Sequence, residues 1–349
     1  MRDFKFTILA DIHIDLFQNI SMLKANMLTD RAEEVDNVWK QAIDETVDSG
    51  ITQMFVLGDV FHRRNSRTDA INALVKRRLE YAKNKGLNVT VIVGNHDQAN
   101  IAGETHALEI MKDVCEVVDT ACIKTYSGID FYCLPYEEYK GSIKSLEILL
   151  KQGKNTNRIL LGHVGIMNAS LSGFDHQSKE PVTLEELQTD KFMYSYFGHY
   201  HLPQDLSDNA MYVGSPCQHS LSDKEASRGY VEVEIRLDKN GWKAYNQRRE
   251  LSSPKFLELD VSEYKPSNYQ GKHYIKVTGC KRKHLEKLEL DENVYATTGE
   301  KKLIVVDEDK VIKADLSWEQ MVEKYVNITE KKKRSHKRLM KLGRELLNA

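Results

Sequence analysis

The chain has 349 residues, 41% of them hydrophobic and 29% charged, with a formal net charge of -2. That length suggests about two domains at the usual ~100–200 residues each, and the composition excludes an intrinsically disordered chain. The near-neutral balance gives no bulk attraction for nucleic acid, so any phosphate-binding surface has to come from local clustering or from bound cations.

The five cysteines (Cys115, Cys122, Cys133, Cys217, Cys280) are scattered and include no C-x-x-C pair. This argues against a disulfide framework or a thiolate zinc site and fits a reducing compartment. The N-terminal apolar run is too short for a signal peptide, and no stretch approaches the ~20 apolar residues that span a bilayer. The expected location is cytoplasmic, with no membrane partner.

Short apolar runs at Phe4–Leu9, Met54–Leu57, Val89–Val93, Phe131–Leu134, Ile159–Leu161 and Tyr194–Phe197 predict buried strands. Between the early ones, Val35, Val38, Trp39, Ala42 and Ile43 fall on one helical face, and Ala70, Ile71, Leu74 and Leu79 predict a second helix stopped at Gly86. Thr183-x-x-Glu186 has the form of a capping box. Strands alternating with helices predict a layered α/β domain. From Gly229 the pattern changes. Val231, Val233, Ile235 and Leu237 alternate, a turn spans Asp238–Gly241, and an extended run starts at Trp242, which together predict a hairpin. Ser252-Ser253-Pro254 marks a boundary. Beyond it strands are predicted at Phe256–Val261, Tyr274–Thr278 and Leu303–Val306, with a charged helix at Lys281–Leu290. Ser317-x-x-Gln320 opens a helical terminus. The expected domains are 1–250, a small α/β domain at 255–312, and a helical segment at 317–349.

Five motifs lie at or just beyond the carboxyl ends of predicted strands: Asp11-Ile12-His13, Gly58-Asp59-Val60-Phe61-His62, Gly94-Asn95-His96-Asp97, Gly162-His163 and Gly198-His199-Tyr200-His201. Ligands of open α/β sheets bind outside those ends, so the motifs point to one crevice. Carboxylate oxygen and imidazole nitrogen are ligands for divalent Mn, Fe, Co, Ni or Zn. Two such ions ~3.5–4 Å apart can clamp a phosphodiester. Each motif alone is weak, since a lone histidine is more often structural and G-D or G-H is common in turns. Six of the twelve histidines nevertheless fall within this ordered set.

The order D-x-H, G-D-x-x-H, G-N-H-D, G-H, G-H-x-H resembles the calcineurin-like metallophosphoesterase superfamily over roughly residues 4–235. G-D-V-F-H and G-N-H-D resemble the Mre11/SbcD nucleases, and the short chain looks like their phage recombination members. The resemblance implies a metallophosphoesterase β-sandwich flanked by helices, with a small α/β capping domain and a C-terminal helical tail. By the same resemblance Asp11, His13 and His201 would hold one metal, Asn95, His163 and His199 the other, and Asp59 would bridge them. His96 matches the histidine that contacts the phosphate and assists the transition state or leaving oxygen, and His62 one near the phosphate. The implied cofactors are two Mn2+ ions, with Mg2+ or another divalent ion as substitutes.

Arg63, Arg64 and Arg67 follow His62 and are candidate DNA-backbone contacts; the plain alternative is a solvated loop. Lys76-Arg77-Arg78 reads as surface. His176, in the polar loop Gly173–Lys179, is placed to approach substrate, while His106, His219, His273, His284 and His336 read as structural or surface residues. The terminus combines Lys331–Arg334 with Lys337, Arg338, Lys341 and Arg344 and a stripe of Leu339, Leu342 and Leu346. A basic amphipathic helix suits nucleic acid, a membrane or a partner helix. The resemblance favours a helix that grips a Rad50/SbcC-type ATPase, and it also implies a homodimer. The expected activity is a Mn-dependent DNA nuclease, 3′→5′ exonuclease on duplex ends and endonuclease on single strands. The alternatives are a phosphatase or small-molecule phosphodiesterase on the same site, disfavoured by Asp97, where protein phosphatases tend to have Glu, and a non-catalytic scaffold.

Overall fold

A computed structural model describes residues 3–280 and the backbone of 294–298, except positions 19, 22, 65–66, 101–104, 139, 171–177, 179, 224–226, 240, 266–267 and 269–272. One compact unit covers Met1–Thr297, and a second covers Thr298–Ala349. The predicted helix at Lys281–Leu290, the strand at Leu303–Val306, the terminal helix and His176 lie outside the described residues.

Two six-stranded sheets form the body. The first is built from β1 (Phe4–Leu9), β2 (Gln53–Leu57), β3 (Asn88–Ile92), β4 (Glu116–Val118), and the hairpin β11 (Gly229–Asp238) and β12 (Gly241–Glu250), in the order β12-β11-β1-β2-β3-β4. The second holds β5 (Cys122–Tyr126), β6 (Ile129–Leu134), β7 (Arg158–His163), β8 (Tyr194–Gly198), β9 (Gln204–Ser207) and β10 (Ala210–Tyr212), in the order β5-β6-β7-β8-β10-β9. Alternate side chains of a strand point to opposite faces. Phe55 and Leu57 of β2 therefore join Phe6, Phe131, Ile159, Leu161 and Tyr196 in one core fed by both sheets. Met54 and Val56 point the other way, into a core shared with Trp39 and Ala42. On the second sheet, Leu160 and Tyr132 pack outward with Leu146. Strands buried on both faces need apolar residues at nearly every position, which is why they read as unbroken runs.

Helix α1 (Asp30–Asp48) is capped by the Thr29 hydroxyl, which accepts the Ala32 N–H at 3.2 Å, and α2 (Asp69–Asn84) by Thr68, which accepts that of Ile71 at 3.3 Å. Gly86, at φ +78°, ends α2 in the left-handed conformation. A helix the sequence pattern does not predict, α3 (Gly141–Gln152), buries Leu146 and Leu149. The Thr183–Glu186 pair does form reciprocal bonds, Thr183 N–H to Glu186 at 3.1 Å and Glu186 N–H to Thr183 at 3.2 Å, but in a turn rather than a regular α-helix. Leu237, the last of the alternating set, is 61% exposed beyond the end of the core. A third sheet carries β13 (Phe256–Asp260), β14 (Tyr274–Cys280) and β15 (Val294–Thr298). Among the described residues no helix is long and apolar enough to cross a membrane.

Candidate metal centre

Strands β1, β2 and β3 run parallel in one sheet, and β7 and β8 in the other. Their carboxyl ends meet, and the five motifs meet with them. The backbone there is strained. Asp11, His13, Asp59 and His199 adopt φ of 54°, 51°, 53° and 113°, where non-glycine residues are disfavoured. Neighbouring glycines make the close approach possible: a Cβ on Gly94 would overlap the Asp59 carboxylate, and one on Gly58 (φ +82°) the His163 ring.

The side chains form two groups around Asp59. Asp11, His13 and His201 bring ligand atoms within 4.8 Å of one another. On the other side, Asn95 Oδ1 lies 2.8 Å from His163 Nε2 and 3.0 Å from His199 Nδ1, and those nitrogens are 3.4 Å apart. Asp59 Oδ2 is 3.5 Å from both His13 Nε2 and His163 Nε2, while Oδ1 accepts the His96 N–H at 2.8 Å. His163 Nδ1 is held by the Leu57 carbonyl at 2.7 Å, which aims Nε2 into the site.

This donor set fits divalent cations. Both ring nitrogens of His13 are buried without a hydrogen-bond partner, and acceptors crowded as tightly as Asn95, His163 and His199 need a proton or a cation between them. Burial pushes His13 well below the usual histidine range and His199 down to about 3, so both are neutral and able to ligate. Burial alone would raise Asp59, but the His163, His13 and His96 imidazoles hold it well below the carboxylate range. For His163 burial is likewise outweighed, by Asp59, and its pKa rises to about 9.

His62 and His96 stand beside the first group, with ring centroids 5.3 and 4.9 Å from that of His13. His96 Nδ1 donates to the His62 carbonyl at 2.5 Å, which leaves Nε2 for a reacting group. Because His13, His62 and His96 also lie within mutual ligand distance, a test must separate chemistry from metal binding. His96→Ala is expected to lower turnover by about 10²–10⁴-fold, the usual contribution of an acid–base group, with two ions still bound. Loss of an ion in a metal titration would make His96 a ligand instead. Asp97 has a structural task. Its buried carboxylate accepts the N–H groups of Phe61 and Gly94, both at 3.0 Å, and ties the second motif to the third. Burial and then Asp59 push it up to about 7.

The arginines are less free than the sequence suggests. Arg63 Nε is bound to Asp15 at 2.7 Å, and Arg67 donates to the Arg63 carbonyl at 2.7 Å and lies over the Phe61 ring. Arg64 is half-buried in the same loop.

The sequence does not tie three residues to the centre. His219, read there as structural or surface, is buried with its ring 5.3 Å from that of His13 and 5.2 Å from that of His201. Asp223 and Arg228 form a buried ion pair at 3.3 Å behind His201. The sequence signal was slight: an H-x-x-x-D pair shortly after Gly214-Ser215-Pro216.

Carboxylates and imidazoles gathered at the strand ends of a two-sheet α/β sandwich define a metal-dependent hydrolase. The chain belongs to the calcineurin-like phosphoesterase family, whose pattern matches residues 4–203 and whose members use two divalent metal ions. It is 25% identical over 242 residues to the uncharacterized metallophosphoesterase YhaO of Bacillus subtilis, covering 67% of this chain and 58% of that protein. It is 25% identical over 207 residues to exonuclease subunit 1 of Enterobacteria phage T4, covering 57% and 58% of the two chains. The SbcD component of the nuclease SbcCD from Staphylococcus saprophyticus is 22% identical over 211 residues, covering 53% and 55%. The chain thus spans little more than half the length of the relatives it matches.

Proposed function

We propose that the protein is a Mn2+-dependent DNA nuclease, a 3′→5′ exonuclease on duplex ends and an endonuclease on single strands, working with a Rad50/SbcC-type ATPase. The observation that carries the chemistry is Asp59 Oδ2, equidistant from an imidazole of each ligand group. Likeness to one component of a phage exonuclease and one of the SbcCD nuclease supports DNA as substrate and a partner protein. In this reading Asp11, His13 and His201 hold one ion, Asn95, His163 and His199 the second, and Asp59 both. Two bound ions would neutralise phosphate charge and lower the pKa of water. His96 Nε2 gives or takes a proton at the phosphate oxygens, and His62 orients His96 through its carbonyl. The mixture of imidazole and carboxylate favours Mn2+ over Mg2+, which prefers oxygen.

Labelled duplex and single-stranded DNA, assayed beside a small phosphodiester, test the substrate. Cleavage of DNA that requires Mn2+ is expected. Turnover of the small ester alone would instead make the protein a phosphatase or small-molecule phosphodiesterase. If the arginine loop holds backbone phosphates, replacing Arg63, Arg64 and Arg67 flattens the log–log salt dependence of DNA binding by about 0.7–0.9 per lost contact. Arg64 carries the largest share, because Arg63 is bound to Asp15 and Arg67 to the Arg63 carbonyl. An equal loss on the small ester would point to damage at the metals.

The partner proposal rests on the leucine stripe and lysines of 317–349. Apolar burial would supply affinity and the charges would steer toward an acidic surface. A chain ending near Ser317 is expected to cut single-stranded DNA and to fail in co-purification with its cognate ATPase. Retention at full affinity would refute the assignment.

A further inference from the structure

The loop between β10 and β11 contributes no residue to the proposed ligand set, yet it closes around one ligand group from behind. Asp223 is 2% exposed. Its Oδ2 lies 3.7 Å from His201 Nδ1 and accepts the backbone N–H groups of His219 at 2.9 Å and Ser220 at 3.2 Å. Its Oδ1 meets Arg228 Nη2 at 3.3 Å. Arg228 in turn donates to the His201 carbonyl and, at 3.1 Å, to Ser215 Oγ. One buried ion pair therefore faces the His201 ring through its carboxylate and holds the His201 backbone through its guanidinium. His219, fixed by Asp223 through its backbone, donates from Nε2 to the Asp11 carbonyl at 3.1 Å. Asp11 is held at φ 54°, a conformation that persists only when its surroundings enforce it.

We infer that Asp223, through His201 directly and through His219 to Asp11, is a positioning residue that sets the affinity of one metal position and leaves the other alone. The asymmetry follows from the contacts. Among the described residues none from this loop is bonded to Asn95, His163 or the His199 side chain, which are held by one another and by the Leu57 carbonyl; the one link between the groups is the His199 N–H, which donates to the Asp11 carboxylate at 3.1 Å. A carboxylate behind a ligating imidazole fixes its ring orientation and raises its basicity, and removing such a partner typically weakens metal binding by about 10–100-fold. The negative charge also favours the imidazole that faces a cation, and Arg228 keeps Asp223 from rotating away.

The inference rests on Asp11, His13 and His201 holding a cation, and the experiment keeps the two questions apart. The full-length, metal-free protein is titrated with Mn2+ by calorimetry, and bound Mn2+ is counted by electron paramagnetic resonance. Wild-type protein that binds fewer than two ions would defeat the proposed centre itself. If two bind, Asp223→Asn should weaken one by about 10–100-fold and leave the other within about twofold. Asp223→Asn leaves Arg228 buried without its partner, so the double variant Asp223→Asn/Arg228→Gln is measured beside it. His219→Phe, which keeps the ring and deletes the bond to Asp11, should weaken the same ion. A lower metal-free melting temperature with both affinities unchanged would reduce the loop to a structural brace and overturn the proposal. So would equal weakening of both ions.

Discussion

Asp59→Asn is expected to abolish turnover while leaving the fold in place. The amide has the same shape, and its oxygen can still accept the His96 N–H that Asp59 Oδ1 accepts at 2.8 Å. What disappears is the charged Oδ2, 3.5 Å from an imidazole of each ligand group. An amide NH2 in that place repels a cation. Stabilisation of transition-state charge by bound ions amounts to several kcal/mol, and each 1.36 kcal/mol is tenfold in rate, so the loss should reach about 10³-fold or more. Single-turnover cleavage of labelled single-stranded DNA measures it, with circular dichroism confirming the fold. Wild-type rates in the variant would remove Asp59 from the centre.

Adding Mn2+ to the metal-free protein should raise its melting temperature strongly. The unfolded chain has no preformed site, so each ion at a hundredfold excess over its Kd stabilises the fold by about 2.7 kcal/mol. At ~2–4 °C per kcal/mol for a domain of this size, that is about 5–10 °C per ion. The rise should also grow with pH. His163, with its pKa lifted to about 9 against a usual 6.5, carries a proton in the metal-free fold. That proton stabilises the metal-free fold fully below pH 6.5, and the contribution is lost as pH rises through 9. The metal-free protein is therefore weaker at pH 9 than at pH 7, and at pH 9 His163 is only about half protonated, so the ion has less proton to displace. Differential scanning calorimetry at both values, with chelator as control, tests this. A shift independent of pH would mean that His163 does not face the ion.

Much of the body is legible in the sequence because its central strands are buried on both faces. Phe4–Leu9 and Ile159–Leu161 announce themselves as apolar runs, and α1 and α2 by one apolar stripe each. The short strands β4, β5 and β9 carry mixed polarity, β10 is only three residues long, and all four leave too little pattern to distinguish from loop. Helix α3 does carry a helical stripe of Ile143, Leu146, Leu149 and Leu150, but no side chain caps its start to mark it as a helix. The hairpin pattern was real, but Leu237 obeys the alternation and still lies outside the core, since alternation specifies a face and not where the opposing sheet ends.

The chemistry divides along the same line. By itself the sequence determined the candidate ligand types and their place at strand ends, because a metal site at the mouth of an α/β sheet needs carboxylate, imidazole and glycine next to the strands, a local requirement. Only the tertiary structure decided how those residues are supported. It set His219 against the Asp11 carbonyl across 208 positions of chain, put Asp223 behind His201, and spent Arg63 on Asp15 across 48. Such contacts join residues brought together by sheet packing, and their spacing in the chain carries no trace of it. A supporting side chain needs only the right atom within about 3 Å, whichever part of the chain delivers it.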